Sequence, residues 1–130
     1  MPPNRGKITM RHLILGAAIA LMLPMSAQAQ EAGDAAAGEK AFAPCKACHN
    51  FVKNGVGPDL KGVVGRKAGT YEGYSYSAAL KGSGITWDEA NLKEWLKDPK
   101  AKVPGNKMVY PGLKDDKKLA DVIAYLKTQN

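Results

Sequence analysis

The sequence has few of the residues that usually stabilise a small protein. The 130-residue chain contains 2 cysteines, too few for a disulfide-dense scaffold. Aromatic residues make up only 7% of it, so side chains alone supply little bulk for a core. No apolar run reaches the roughly 18 to 20 residues of a membrane-spanning helix, and no segment alternates apolar and polar residues as a half-buried strand does. These absences indicate one small helical domain.

The first 29 residues have the three parts of a secretory signal peptide. Basic residues come first, then an apolar run, then a small-x-small cleavage site: Arg5, Lys7, Arg11, Leu13–Leu23 and Ala27–Ala29. An uncleaved anchor is the alternative, but such a run spans only about 16 Å of a hydrocarbon layer about 30 Å thick. We therefore expect residues 1–29 to be a cleaved signal. Residues 30–130 are then a periplasmic domain without stable membrane insertion.

Removal of the signal changes the charge and the set of possible metal ligands. The formal charge of +7 falls to +4, because the basic residues before Ala29 have no acidic counterpart. This modest charge disfavours nucleic acid as a partner. The soft and nitrogen ligands that remain are Cys45, Cys48, His49 and Met108.

Helical patterns mark both ends of the domain. A helix is predicted from Ala35 to Phe42, with Asp34 as its N-cap and Pro44 closing it. The clearest pattern covers residues 116–128, where apolar residues recur at i, i+3, i+4 and i+7. We expect these segments to be the first and last helices.

Shorter helices and long loops are predicted between them. Residues 50–70 and 100–112 are rich in glycine and proline and are predicted loops. A short helix is predicted over Ser77–Lys81. A second helix is predicted to begin at a capping box, Thr86–Glu89, and to end at Asp98–Pro99. The predicted fold class is all-α, with three to five helices. Loops of this length are typical of a chain that wraps a ligand.

Cys45-Lys46-Ala47-Cys48-His49 is a C-x-x-C-H motif, typical of covalent c-type haem attachment. Two thiols one helical turn apart reach the two vinyl groups at one porphyrin edge, and the adjacent histidine reaches the iron. The alternatives are a local disulfide, a redox dithiol and a zinc site. A redox dithiol requires a βαβ setting, and structural zinc requires four ligands where this motif has three. We therefore predict one haem c bound to Cys45 and Cys48, with His49 on the iron.

Met108 is the candidate for the second axial ligand. It is the only methionine after residue 29, and prolines and glycines on both sides stiffen its loop. A single methionine is otherwise more often a core residue. An iron with both axial positions taken has no place for a substrate, which predicts an electron carrier rather than an enzyme. The alternative is a haem protein with a labile sixth ligand, acting as a gas sensor or a weak peroxidase.

From about Gly38 to Leu126 the sequence resembles class I c-type cytochromes, close to the mitochondrial cytochrome c and bacterial cytochrome c2 group. Beyond C-x-x-C-H, the matching segments are Gly57–Leu60, Gly65–Lys67, Tyr74–Ser77, Ile85–Trp87, Pro104–Met108 and Asp121–Leu126. The resemblance implies the class I fold, with helices and loops wrapped around one haem. It also implies that Gly38 and Phe42 pack against Val122 and Tyr125 where the first and last helices cross.

The resemblance further implies roles for four residues of the haem surroundings. The Pro58 carbonyl should hold the far ring nitrogen of His49 and fix its tautomer. Arg66, Tyr76 and Trp87 should surround a haem propionate, since a buried carboxylate requires donors or a positive partner. Simple core packing is the alternative for the two aromatic residues.

The sequence departs from the family pattern at several points. The segment between Phe42 and Cys45 is shorter than usual, as is the segment that leads from the motif to Pro58. Trp95 stands where a tyrosine is common, and Leu80 where an asparagine is common. Both changes should leave the methionine side of the haem with fewer hydrogen bonds.

Five lysines flank the predicted haem-binding segments: Lys46, Lys53, Lys100, Lys107 and Lys114. For any one of them, an ordinary solvated lysine is as good an interpretation as a role in docking. As a set they predict a positive rim that steers the haem edge toward redox complexes with acidic docking faces. We expect a monomeric carrier that moves between membrane or periplasmic redox complexes.

Overall fold

The computed structural model describes residue 16 and residues 33–130. The predicted signal peptide therefore falls outside the described residues, apart from Gly16. Residues 33–130 form five α-helices, and their only β-type pairing is an isolated antiparallel bridge between Lys67 and Thr86. No helix in this part of the chain is long and apolar enough to cross a membrane. The predicted all-α fold with three to five helices is confirmed.

The helices are separated by irregular segments. In chain order they are α1 (Ala35–Ala41), α2 (Ala78–Lys81), α3 (Glu89–Lys97), α4 (Pro99–Lys102) and α5 (Asp116–Lys127). A 3-10 helix, Ala43–Ala47, follows α1 directly. Residues 48–77 contain no helix, as predicted for most of that stretch.

The start of α1 matches its prediction. The Asp34 side chain accepts hydrogen bonds from the backbone N–H groups of Ala36 and Ala37, at 2.9 and 3.4 Å. Pro44 lies in the first turn of the 3-10 helix, where its missing N–H costs nothing. The α-helix ends before Pro44, as predicted. The 3-10 helix that follows it contains Cys45.

The predicted capping box is wrong about which residue caps α3. Asp88 is the N-cap, and its side chain accepts a hydrogen bond from the Asn91 N–H at 2.8 Å. Thr86 instead pairs with Lys67 in the isolated bridge, which holds its backbone extended. A contact distant in sequence therefore decides where α3 begins.

The prediction of an uninterrupted loop over residues 100–112 is also wrong. Its first residues belong to α4, because Asp98 accepts a hydrogen bond from the Ala101 N–H at 3.2 Å. Pro99 occupies the first turn of α4, where its fixed φ favours the helix. Asp98 thus ends α3, as predicted, and caps the next helix as well.

The first and last helices cross at Gly38. A Cβ on Gly38 would lie 1.9 Å from the Asp121 carbonyl oxygen and 2.9 Å from the Tyr125 Cβ, so only glycine permits this approach. The rings of Phe42 and Tyr125 lie 5.4 Å apart, and Phe42 and Val122 are both buried in the core. The predicted helix crossing is confirmed.

The buried Asp121 fastens this crossing. Its Oδ1 accepts hydrogen bonds from the Asp34 N–H at 2.8 Å and from Lys117 Nζ at 2.7 Å. Because Asp34 also caps α1, one carboxylate of α5 joins that helix to the start of α1. The hydrogen bond from Lys117 is the largest influence that lowers the pKa of Asp121, and the Asp34 N–H acts in the same direction.

The buried faces of α3 and α5 match their helical patterns. The residues concerned are Leu92, Trp95 and Leu96 in α3, and Leu119, Val122, Ile123 and Leu126 in α5. Several of these side chains do not pack only against one another, because they also line a cavity. That cavity brings the candidate site residues together.

Candidate haem site

The central cavity has a volume of about 230 Å³. Its wall contains every site residue predicted from the sequence: Cys45, Cys48, His49, Pro58, Arg66, Tyr76, Trp87 and Met108. Most of the remaining wall is apolar, including Phe42, Leu60, Val63, Leu80, Leu92, Trp95, Leu96, Val122 and Leu126. The fold therefore gathers all the predicted residues around one space.

The C-x-x-C-H motif forms a tight turn at the cavity wall. The Cys45 N–H donates to the Phe42 carbonyl at 2.8 Å, and the His49 N–H donates to the Cys45 carbonyl at 2.9 Å. Cys45 is half-buried and Cys48 is exposed, and both thiols are free. Burial raises the pKa of the Cys45 thiol, and the neighbouring Cys48 adds to this effect. The turn places both thiols and the imidazole beside the same cavity.

The imidazole of His49 is oriented by the Pro58 carbonyl. His49 Nδ1 lies 2.9 Å from that oxygen, which accepts a hydrogen bond when Nδ1 carries the proton. This tautomer leaves Nε2 unprotonated and able to bind a metal. Burial lowers the pKa of His49 and therefore favours the neutral form that a ligand requires. The contact implied by the family resemblance is present.

Gly57 lets the backbone lie against the imidazole. A Cβ at this position would lie 2.3 Å from the Cε1 atom of His49. The Gly57 N–H donates to the Cys48 carbonyl at 2.8 Å, which fixes the approach. In the sequence, Gly57 is marked only as part of a segment that matches the family. The one signal for this role is its position directly before Pro58.

Met108 lies half-buried in the segment between α4 and α5. Its N–H donates to the Asn106 side-chain oxygen at 2.8 Å. The Asn106 amide in turn donates to the carbonyls of Pro99 and Val103, at 2.9 and 2.8 Å. Asn106 therefore anchors the methionine segment to α4. Sequence reasoning did not assign it this role.

Arg66, Tyr76 and Trp87 form a more polar part of the wall. Arg66 Nη2 donates to the Asp59 carbonyl at 2.9 Å, and its guanidinium carbon lies 4.7 Å from the Tyr71 ring centroid. The Tyr76 hydroxyl oxygen accepts a hydrogen bond from the Tyr71 N–H at 3.2 Å. Burial lowers the pKa of Arg66 and raises that of Tyr76. Tyr76 is thus a proton-bearing donor near a guanidinium, a combination that suits a carboxylate.

The predicted lysine rim is exposed but not uniform. Lys46, Lys53 and Lys100 are exposed, and within residues 33–130 their ammonium groups make no hydrogen bond or ion pair. Lys107 donates to the Ser75 carbonyl and Lys114 to the Lys97 carbonyl, both at 2.7 Å. Two of the five predicted rim lysines therefore also bind the backbone.

These residues fit a covalently attached haem. The apolar wall suits a flat macrocycle, the thiols suit its vinyl groups, and Arg66 and Tyr76 suit its carboxylates. His49 Nε2 and the Met108 sulfur are neutral ligands of the kind that haem iron takes. Among residues 33–130, no group of three or more His, Cys, Asp or Glu side chains is placed to hold a metal ion by itself.

Comparison with known proteins gives a consistent family. A family model described as Cytochrome c matches residues 35–130. Cytochrome c-554 of Methylosinus trichosporium is 53% identical over 117 residues, which cover 88% of each chain. Cytochrome c2 of Blastochloris viridis is 48% identical over 124 residues, covering 93% of this chain and 95% of the relative. The solved structure of cytochrome cH from Methylobacterium extorquens is 74% identical, with a TM-score of 0.73, over 74% of this chain and 99% of its own.

These matches cover the helices and the cavity together. The family model begins at the first residue of α1 and includes the whole of α5. The C-x-x-C-H spacing of Cys45, Cys48 and His49 lies inside the matched region. The prediction of an electron carrier that is not an enzyme, and that holds one haem c, is confirmed. The chain belongs to the cytochrome c family, in the class I group that includes the cytochromes c2.

Proposed function

We propose that this chain is a periplasmic electron carrier whose haem is attached to Cys45 and Cys48 and ligated by His49 and Met108. One observation carries the proposal: a single apolar cavity is lined by two thiols, an oriented imidazole and an anchored methionine. Haem c, when bound, supplies one-electron exchange between ferric and ferrous iron. The protein's own residues set the conditions for that exchange.

The thiols supply attachment without a leaving group. Each thiol would add across the double bond of one vinyl group, so that the S–H bond and the vinyl π bond are replaced by one S–C bond and one C–H bond. The proposal is supported by the turn from Cys45 to His49, because all three of Cys45, Cys48 and His49 line the cavity. Attachment therefore fixes the ring next to its proposed axial ligand.

The two residues proposed to ligate the iron are held by separate parts of the chain. Pro58 orients the imidazole of His49, and Asn106 anchors the segment of Met108. With both axial positions taken, a substrate or a gas has no free position on the iron. The apolar wall and the methionine sulfur both favour the ferrous state, so the potential should be positive. This arrangement favours a carrier over a gas sensor or weak peroxidase with a labile sixth ligand.

The polar part of the wall is proposed to hold a propionate. Arg66 supplies a positive charge, while Tyr76 and Trp87 supply an O–H and an N–H donor. A propionate carboxylate entering an otherwise apolar cavity requires such partners. We assign these three residues to that role.

The cellular setting follows from the N-terminal residues. Residues 1–29 have the pattern of a cleaved signal, which would deliver residues 30–130 to the periplasm. Two relatives that cover most of this chain are named cytochrome c2, which supports a carrier between redox complexes. We propose that the chain works there as a monomer.

The docking face is proposed to combine free lysines with exposed apolar side chains. Lys46 lies between the two cysteines in the sequence. Val56 and Val109, which line the cavity, are 75% and 99% exposed. A partner with an acidic face would be attracted to the lysines and would contact the valines on docking. Higher salt should therefore slow electron transfer to such a partner. Lys46→Gln should also slow it, whereas Lys118→Gln on α5, outside the cavity wall, should not.

The sixth position is tested with carbon monoxide. The reduced holoprotein at neutral pH, without denaturant, should show no spectral change when carbon monoxide is added. Acid and organic solvent should leave the haem colour on the polypeptide because the attachment is covalent. Carbon monoxide binding by the native protein would instead support the labile-ligand alternative. Free extraction of the haem would contradict attachment at Cys45 and Cys48.

A further inference from the structure

We propose that the buried carboxylate of Asp59 lowers the reduction potential of the bound haem by acting as a fixed negative charge behind the cavity wall. This inference rests on the proposed function, namely one-electron exchange by a haem in this cavity. It adds a residue that is not part of the cavity wall and that sets the driving force of electron transfer.

Asp59 is a buried carboxylate without a directly paired cation. The residue is 2% exposed. Its Oδ2 accepts a hydrogen bond from the Tyr71 hydroxyl at 3.1 Å, and its Oδ1 accepts one from the Lys61 N–H at 2.8 Å. Within residues 33–130, no lysine or arginine nitrogen lies within 4.0 Å of this carboxylate. Both carboxylate oxygens therefore accept hydrogen bonds from uncharged donors, and the Arg66 guanidinium interacts with the carboxylate without a direct ion pair.

The backbone of Asp59 connects two parts of the haem site. The preceding residue, Pro58, uses its carbonyl to orient His49 at 2.9 Å. The carbonyl of Asp59 itself accepts a hydrogen bond from Arg66 Nη2 at 2.9 Å. Pro58 and Arg66 both line the cavity. Asp59 is therefore next to one wall residue in the chain and bonded to another through its carbonyl, and its carboxylate reaches the Tyr71 side chain whose ring lies 4.7 Å from the Arg66 guanidinium carbon.

The sign of the effect follows from the charge on the iron. Reduction removes one positive charge, and a nearby negative charge makes that loss less favourable. The buried position of Asp59 weakens solvent screening of this interaction. Asp59 also offsets part of the positive charge that Arg66 presents to the cavity. Both effects lower the potential, so neutralising Asp59 should raise it.

The direct test is Asp59→Asn, which keeps the size of the side chain and removes its charge. The midpoint potential of the holoprotein is measured by titration against a reference couple, together with the ferric absorption spectrum. The equilibrium constant for reduction should rise about threefold to tenfold, where tenfold corresponds to about 59 mV for one electron. The ferric spectrum should stay unchanged, since both axial ligands remain.

Three further variants separate charge from structure. Asp59→Glu keeps the charge and should restore a potential close to that of the wild type. Tyr71→Phe removes one donor but keeps the carboxylate, and should move the potential less than Asp59→Asn does. Asp121→Asn removes the other buried carboxylate, which lies at the α1–α5 crossing and does not line the cavity. It should leave the potential unchanged.

The outcomes distinguish this inference from the proposed function. A wild-type potential in Asp59→Asn, with an intact one-electron couple, would overturn the role of Asp59 and leave the carrier proposal standing. An equal shift in Asp121→Asn would also overturn it, because the effect would not depend on the site. If neither Asp59→Asn nor Asp59→Ser formed holoprotein, Asp59 would serve folding and the inference would be wrong. A wild-type protein without a reversible one-electron couple would overturn the proposed function itself.

Discussion

Lys107 donates a hydrogen bond from its ammonium group to the Ser75 carbonyl at 2.7 Å, across 32 positions of sequence. The same ammonium lies 6.0 Å from the centroid of the Tyr74 ring, and the Tyr74 hydroxyl donates to the Val56 carbonyl at 2.8 Å. Because Lys107 directly precedes Met108, these contacts tie the methionine segment to two other loops of the cavity. Lys107 thus has a structural contact as well as its predicted place on the positive rim.

Lys107→Gln should make Met108 easier to displace from the iron. Loss of a hydrogen bond worth roughly 1 kcal/mol should speed the binding of imidazole to the ferric protein about fivefold. The rate is measured by stopped-flow absorption. Lys100→Gln is the matched control, because the exposed Lys100 has the same charge and makes no such contact within the described residues. Equal rates in the two variants would show that the Ser75 contact does not restrain the loop.

Met108→Ala should keep the haem attached but open the sixth position. The proposed attachment is through Cys45 and Cys48, which this change does not touch. Carbon monoxide binding to the reduced protein should go from absent to stoichiometric, and weak peroxidase activity should appear. The potential should fall, because a sulfur ligand that favours ferrous iron has been lost. A variant with the wild-type potential and no new ligand binding would show that Met108 only packs in the core.

Gly57→Ala should disturb the imidazole of His49. The new Cβ would lie 2.3 Å from Cε1 of a ring already held by Pro58, so the ring or the backbone must move. We expect a loss of about 1–3 kcal/mol in the free energy of unfolding, and a lower yield of holoprotein. Gly55→Ala is the control, since the nearest atom there is the Cys48 carbonyl oxygen at 3.5 Å. If both variants were equally stable, Gly57 would not be required for the close approach.

Asp121 should make stability depend on pH in the acid range. Its folded-state pKa is lowered below the ordinary value of 3.8, chiefly by the hydrogen bond from Lys117. Its contribution is therefore present above that value and lost as pH falls through the lower, folded-state pKa. Asp121→Asn should have a lower Tm than the wild type at neutral pH, and the difference should narrow below about pH 4. The difference in Tm is measured by thermal unfolding of both holoproteins at a series of pH values from neutral downward. A difference that is constant across the range would contradict the role of the charge.

Much of the helical frame could be predicted because its signals are local. The Asp34 cap and the apolar spacing of α5 depend only on neighbouring residues, and both predictions are confirmed. Thr86 was predicted as a cap for the same kind of reason, and that prediction is wrong. The bridge to Lys67 overrides the local pattern, and a bridge between positions so far apart leaves no mark in the sequence near either residue.

Some features of the candidate site could likewise be predicted from the sequence, and others could not. The C-x-x-C-H motif and Met108 stand out by residue type, so their place at one cavity could be predicted. The supporting contacts could not, because they join common residues at unrelated positions. Tyr71 and Asp59, for example, are 12 positions apart and meet only once the loop between them is folded. No spacing rule marks such a pair in advance.

The contact between Asp34 and Asp121 spans 87 positions, so it closes almost the whole domain into a single ring of chain. During synthesis the N-terminal residues emerge first, and α1 has no partner at Gly38 until α5 has followed. Closing so long a loop also has an entropic cost that shorter contacts avoid. The segment that carries Cys45 and Cys48 follows α1 directly, so it too emerges before α5. The crossing of α1 and α5 is therefore among the last parts of the domain that can form as the chain emerges.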